Sequence, residues 1–227
     1  MTKFPMYSDT NYYMLVASLP HMPRTFELDQ VPISRIRLQQ RLAMLGEHDR
    51  NVVEQVQGFL LWDRQHPERT DEEVQREYDR LMKSIANKLV RDIVGHRMDV
   101  RTITSALRRR RLGLTPPSGV GQYVEHIQKH WEQLDFRLAR EHPWIPLVRR
   151  YMEANEPLQA ERQLLLATWN RWVKLADEFH FSFETILLYL ARWEIVDRWT
   201  RLNESLGHQR FEKLLAETLG DHARIDN

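Results

Sequence analysis

Apolar side chains recur at steps of three and four residues along most of this chain. After Thr70, for example, Val74, Tyr78, Leu81 and Ile85 fall on one face of a helix drawn through them. Sustained alternation of apolar and polar residues, the pattern of a strand, is missing from the sequence, and only eight glycines occur in 227 residues. The pattern therefore predicts an all-α fold, an irregular array of about eight to ten helices.

Residues with the chemistry of helix ends occur between the apolar stripes. The stretch TDEE at 70–73 has the form of a capping box, in which the threonine hydroxyl and the glutamate carboxylate each accept from the other's amide. Other expected helix starts are residues whose side-chain oxygen can accept from the first turn: Ser34, Asp49 and Ser182. Expected helix ends lie at glycine or proline: His66-Pro67, Gly95 and Gly207.

The chain has one linker rich in glycine and proline, GLTPPSGVG at residues 113–121. It predicts an N-terminal helical half, residues 1–115, and a C-terminal helical half, residues 116–227. We expect the two halves to belong to one continuous domain.

Two ten-residue segments align without gaps, MDVRTITSAL at 98–107 and FSFETILLYL at 181–190. A fainter third copy is HDRNVVEQVQ at 48–57. Each segment has a capping polar residue near its beginning and is expected to start a helix. The similarity indicates internal pseudo-repeats, although amphipathic helices can resemble one another by chance.

Charge and cysteine content exclude several classes of protein. Basic and acidic residues number 33 and 32, a balance that argues against a nucleic-acid-binding domain, which needs a basic excess. The absence of cysteine excludes disulfides and thiolate catalysis. The apolar run at 12–19 is too short to span a membrane and lacks the flanks of a signal peptide. We therefore expect a cytoplasmic protein that does not insert into a membrane.

The sequence offers little to support catalysis. His126 and His130 share a face of the helix predicted over residues 120–138, but EHIQKH does not have the HExxH order of a zinc protease. A solvated polar face explains this pair better. Because glycine-rich phosphate loops and nucleophile elbows are also missing from the sequence, we expect no catalytic residue, no cofactor and no metal.

Four consecutive arginines, Arg108, Arg109, Arg110 and Arg111, end a predicted helix before Gly113. Consecutive helical residues point about 100° apart, so the four surround the helix and cannot form one stripe. Three interpretations remain open. The run can stabilise the helix C-terminus, dock an acidic protein partner, or bind nucleic acid.

A second group of arginines lies on the helix predicted after Ser182. Arg192, Arg198 and Arg201 share that helix with Trp193, and arginine and tryptophan dominate the energetics of protein interfaces. Most of the seven tryptophans are expected in the core, because each buries a large surface. We take these three arginines, together with the run at 108–111, as the candidate partner interface.

Two stretches carry a family resemblance, NYYMLVASLP at 11–20 and the segment at 181–215 that begins FSFETILLYL. They resemble a short bacterial family of helical proteins of unassigned activity that is encoded with V-type ATPases. That family is similar to the C-type subunit of V/A-type ATPases, known as the d-type subunit in eukaryotes. C-type subunits are all-helical with three pseudo-repeated modules, and this chain is shorter than a usual member.

The resemblance implies a non-catalytic part of an ion- or proton-transporting ATPase. The C-type subunit is a socket on the membrane rotor ring that receives the central stalk. The expected partners are therefore stalk and rotor-ring subunits, with no nucleic acid, and the expected location is cytoplasmic, peripheral at the inner membrane through the complex. The alternative function is an unrelated cytosolic helical adapter or regulator, and nucleic-acid binding is a distant third.

Overall fold

The computed structural model describes residues 12–60 and 70–222, with side chains described up to Leu202. Within these residues the chain forms helices and no strand, which confirms the all-α prediction. The nine helices of this described part are α1 (Tyr13–Ser18), α2 (Arg35–Leu42), α3 (Glu47–Leu60), α4 (Asp71–Ser84), α5 (Lys88–Arg111), α6 (Val124–Lys129), α7 (Trp144–Glu153), α8 (Pro157–Ala176) and α9 (Phe183–His222).

Helix α9 supplies the centre of the core. Its residues 186–190 are all buried, so this part of the helix is apolar on every side, as expected for a helix surrounded by others. Helices α5 and α8 pack against α9, and α7 packs against α8. Among the helices described here, none has the length and apolar character that a membrane span requires.

Buried side chains form two clusters. The larger one joins the helices from α1 to α4 to the first part of α5, the last part of α8 and the start of α9. The smaller one joins the last part of α5 to α6, α7 and the start of α8. Because α5 and α8 contribute to both clusters, these two helices connect them; the division into halves at residue 115 stays a prediction.

Most of the tryptophans are core residues, as predicted. The buried ones are Trp144, Trp169, Trp172 and Trp193. Trp131 and Trp199 are half-buried, and Trp62 lies outside the described residues. Trp193 Nε1 donates to Ile33 O at 2.8 Å, so its burial leaves the indole N–H satisfied.

Two predicted helix starts are confirmed in detail. The amide of Arg37 donates to Ser34 Oγ at 3.4 Å at the start of α2. At the start of α4, the capping box is complete: Glu73 N donates to Thr70 Oγ1 at 3.2 Å, and Thr70 N donates to Glu73 Oε2 at 3.0 Å. Both motifs use partners within three residues, so their sequences alone determine them.

The prediction for Asp49 is wrong. Helix α3 begins at Glu47, so Asp49 lies inside the first turn, where it is buried. Its carboxylate accepts from Tyr12 Oη at 2.6 Å, and Gly46 N donates to the same phenol oxygen at 3.2 Å. Burial, with the Asp49 bond, raises the pKa of Tyr12 to about 12. Asp49 therefore anchors the N-terminal segment and does not cap a helix.

Gly95 and Gly207 do not end helices, contrary to prediction. Helix α4 ends at Ser84, and α5 begins at Lys88 because Asn87 Oδ1 accepts from Val90 N at 3.1 Å. Helix α5 then continues through Gly95, and the α9 backbone continues through Gly207. The predicted end at His66-Pro67 lies outside the described residues.

The three similar segments at 48–57, 98–107 and 181–190 therefore do not each start a helix at the same position. Residues 98–107 lie inside α5, whereas residues 181–190 contain the start of α9. Ser182 precedes α9 as predicted, but among the described residues its buried Oγ has no hydrogen-bond partner. Its amide instead donates to Thr185 Oγ1 at 3.4 Å, so the predicted hydroxyl cap is wrong.

Residues 120–138 do not form one helix. Only Val124–Lys129 is helical, and the chain then turns with positive φ at Phe136 (53°) and Arg137 (59°). Phe136 is fully buried in the smaller cluster and stacks on Trp131 with ring centroids 5.5 Å apart. His126 Nε2 lies 2.9 Å from Phe136 O and closes this turn. Tertiary packing of Phe136 thus overrides the helical periodicity.

Candidate functional site

Two members of the arginine run bind backbone carbonyls of the following segment. Arg109 Nε donates to Thr115 O at 2.7 Å. Arg110 donates to the carbonyl oxygens of Trp131, Glu132 and Gln133, the last two at 2.8 and 2.6 Å. Neither guanidinium group bonds the last carbonyls of α5 itself. These two arginines therefore hold the turns that follow the helix.

The other predicted interface arginines are dispersed. Arg108 and Arg198 line one cavity, and Arg201 lines a second cavity beside it. Arg192 lies outside both, with its Nε donating to a carbonyl of its own helix at 3.3 Å. Arg111 is exposed at the end of α5. Arg198 thus lies with Arg108 in one cavity and with Arg201 in the other, and the remaining four predicted interface residues line neither cavity.

The first cavity, of about 370 Å³, lies along one face of α5, and we call it the α5 cavity. That face carries Arg97, Arg101, Thr104 and Arg108, whose steps of four, three and four place them on one side of the helix. The other polar residues of the lining are His96, Ser105, Glu161, Thr168 and Arg198.

The second cavity, of about 360 Å³, shares Arg97 and Arg198 with the first. We call it the α2 cavity, because residues of α2, including Arg35, form part of its wall. Asp197 lies in this wall and accepts from Arg35 at 2.8 Å and from Arg201 at 2.6 Å. The charges of the α2 cavity are therefore largely paired.

The α5 cavity has an excess of positive charge, since four arginines and one glutamate line it. Glu161 Oε1 accepts from Arg198 Nε at 2.5 Å. Within the described residues, Arg97 makes no hydrogen bond or ion pair. Burial lowers the pKa of Arg97, an effect that Glu194 and Glu161 oppose. Arg97 thus lies between the two cavities as a half-buried cation without a bonded carboxylate among the described residues.

Two threonines in the α5 cavity differ in their hydrogen bonds. Thr168 Oγ1 donates to Leu164 O, four residues earlier, at 3.0 Å. Thr104 Oγ1 is buried and has no partner in the described part of the chain. A buried hydroxyl normally has one, so Thr104 marks a place where a ligand oxygen would be favourable.

The side chains of His126 and His130 lie close together at the end of α6, with ring centroids 4.6 Å apart. Over the residues with described side chains, we find no group of three or more histidine, aspartate or glutamate residues that could hold a metal ion.

Residues 54–220 match the family described as "Protein of unknown function (DUF2764)", more than half of the 227-residue chain. The chain belongs to this family. All residues that line the α5 cavity lie within the matched range, whereas Arg35 and its neighbours on α2 in the α2 cavity precede it. Neither a curated protein nor a solved structure matches the chain. The similarity to the C-type ATPase subunits stays a prediction.

His96 is a neutral residue of the cavity wall. Its ring makes an edge contact with Trp172 at 5.2 Å between centroids, and its Nε2 lies 3.4 Å from Thr168 Oγ1. Burial, helped by the charge of Arg171, lowers the pKa of His96 to about 4. At neutral pH the side chain therefore adds no charge to the arginines around it.

The low pKa of His96 predicts that the folded protein becomes less stable in acid. In the unfolded chain the imidazole of His96 takes up its proton near pH 6.5, whereas in the folded chain it does so only near pH 4. The free energy of unfolding should therefore be unaffected above pH 6.5 and fall by up to about 3 kcal/mol between pH 6.5 and 4. Urea denaturation across this range should show a smaller fall for His96→Gln. The control His48→Gln, at an exposed position, should follow the wild type, and an equal fall in all three proteins would contradict the prediction.

Proposed function

We propose that this protein is a non-catalytic component or accessory protein of a bacterial V-type ATPase, similar to the C-type subunit. In this role it couples the central stalk to the membrane rotor ring. The proposal starts from the resemblance of residues 11–20 and 181–215 to a family encoded with these ATPases. The all-helical architecture of the described residues is what such a coupling part requires.

One structural observation supports the proposal most strongly: described residues of the two stretches that carry the resemblance contact each other. Tyr12 N donates to Phe181 O at 2.7 Å, and the rings of Tyr13 and Phe181 have centroids 4.8 Å apart. Residues 160 or more positions apart in the chain thus form one packed unit. Because the two similar stretches contact each other, they support a common origin of this chain and that family better than two isolated similarities would.

A coupling protein also needs charged surfaces for its neighbours. Arg108 and Arg111 are exposed at the end of α5, where acidic side chains of the stalk or the ring can pair with them. Exposed ion pairs of this kind contribute mainly to the rate and specificity of association. Arg108 and Arg111 therefore suit a part that docks by complementary charge.

The test is purification of the intact ATPase from membranes of the native host through a tag on a protein of the head. We expect this chain to co-elute with the central stalk and the rotor ring in a fixed ratio. Charge reversal in Arg108→Glu should lower its recovery, whereas Arg76→Glu, an exposed control on α4, should not. An intact complex that lacks the chain would contradict the proposal. Recovery of the tagged chain itself with proteins outside the ATPase would favour the adapter function instead.

A further inference from the structure

The α5 cavity has the composition of a binding site for an anion, independent of any ATPase role. We propose that it binds a small ligand that carries a phosphate group. Arg97, Arg101 and Arg108 lie on the wall formed by α5, and Arg198 of α9 completes the set of four guanidinium groups. Thr104 lies between Arg101 and Arg108 on the same helix face and adds a hydroxyl group.

The charges favour an oxyanion. A cavity lined by four arginines and one glutamate keeps a net excess of positive charge, and the glutamate is already bonded to Arg198 at 2.5 Å. Asp71 lies outside the lining with its Oδ1 3.9 Å from Arg101 Nη2, and the positive excess remains when this carboxylate is included. Repulsion between guanidinium groups in one cavity is relieved when an anion lies among them. Guanidinium groups also match the geometry of phosphate oxygens, to which they can donate two parallel hydrogen bonds.

The hydrogen bonding of the threonines is a second and independent indication of a ligand in the α5 cavity. A helical threonine often donates to the carbonyl four residues earlier, as Thr168 does to Leu164 O at 3.0 Å. Thr104 is only 7% exposed, and its Oγ1 has no partner within the described residues. A phosphate oxygen in the cavity would supply the acceptor that this hydroxyl lacks.

The size and the apolar wall limit the ligand to a small molecule. At about 370 Å³ the cavity is near the lower end of the range of small-molecule sites, about 300–1,000 Å³. Leu60, Leu164 and Leu165 line it together with the polar groups. These leucines can contact an uncharged part of the ligand, so a phosphomonoester with a small apolar group fits the lining better than free phosphate does.

Calorimetric titration of the full chain tests the site, with phenyl phosphate as one probe and inorganic phosphate as the other, at constant ionic strength. We expect saturable binding of one equivalent of phenyl phosphate. Tighter binding of phenyl phosphate identifies a phosphorylated metabolite as the natural type of ligand, whereas equal binding of the two probes identifies free phosphate; either result supports an anion site. Absence of saturable binding of both probes up to about 10 mM would overturn the proposal.

Three variants make the test specific to this cavity. Arg97→Gln should weaken binding about tenfold or more, whereas Arg91→Gln, an exposed control on the same helix, should leave it unchanged. Thr104→Val should weaken binding about fivefold and leave the unliganded chain as stable as before or more so, because it removes a buried hydroxyl without a partner. Equal weakening by Arg97→Gln and Arg91→Gln would mean general attraction to a basic surface and would refute the site.

Discussion

Replacing Gly121 with alanine is expected to lower the free energy of unfolding by about 3 kcal/mol, the combined cost of backbone strain and lost hydrogen bonds. Gly121 has φ of +113°, and a Cβ added there would lie 2.6 Å from Asp99 Oδ1. The Asp99 carboxylate is fixed, because it accepts from Gln122 N at 3.1 Å and from Gln122 Nε2 at 2.9 Å. Relief of the clash would therefore break bonds that hold this loop on α5. Urea denaturation followed by circular dichroism measures the effect.

Gly58→Ala is the matched control. Gly58 is exposed in α3, and a Cβ added there would meet nothing within 4 Å. The alanine should stabilise the helix by about 0.5–1 kcal/mol, because glycine is a poor helix former. The two substitutions add the same methyl group with opposite expected signs. A Gly121→Ala protein as stable as the wild type would show that the loop does not need its close contact with Asp99.

This loop shows what composition can and cannot predict. The glycine- and proline-rich stretch at 113–121 has the composition of a linker, and it does lie outside the helices. It is nevertheless packed, since Val120 is buried and Thr102 Oγ1 donates to its carbonyl at 2.5 Å. Glycine content indicates where helices stop, whereas the docking of the loop depends on side chains of α5 that are distant in sequence.

The helix starts show the same difference between hydrogen bonds made within a few residues and hydrogen bonds made between residues distant in sequence. The predictions for Ser34 and Thr70 are confirmed because each bonds an amide only three residues away. Asp49 has equally good capping chemistry, but its carboxylate accepts from Tyr12, 37 residues earlier. Asp99 likewise bonds Gln122, 23 residues later. A single sequence does not reveal such partners, so the prediction fails where a tertiary bond replaces the local one.

The candidate site is only partly predictable for a related reason. The four consecutive arginines draw attention, but helical geometry spreads them, and Arg109 and Arg110 bind backbone carbonyls. The informative pattern is the spacing of Arg97, Arg101 and Arg108, which a search for positive charge at helical steps would find. The contribution of α8 and α9 to the cavity depends on how those helices pack against α5, and no local pattern contains that information.

Trp193 connects the N-terminal segment to α9. Its contacts explain why its removal is expected to lower the free energy of unfolding strongly. The side chain is only 4% exposed, and its indole N–H donates to Ile33 O at 2.8 Å. The guanidinium group of Arg35 lies 5.5 Å from the ring centroid and also pairs with Asp197. The ring thus supports both the segment before α2 and the ion pair in the α2 cavity.

Trp193→Ala should therefore lower the free energy of unfolding by about 3–5 kcal/mol, because it leaves a large cavity and an unpaired carbonyl. Trp193→Phe keeps an aromatic ring in the core and loses chiefly the hydrogen bond to Ile33, so its cost should be about 1–2 kcal/mol. Urea denaturation of both variants and of the wild type separates the contribution of the buried ring volume to stability from that of the hydrogen bond to Ile33. Equal losses in the two variants would mean that the hydrogen bond to Ile33, and not the buried volume of the ring, holds the N-terminal segment against α9.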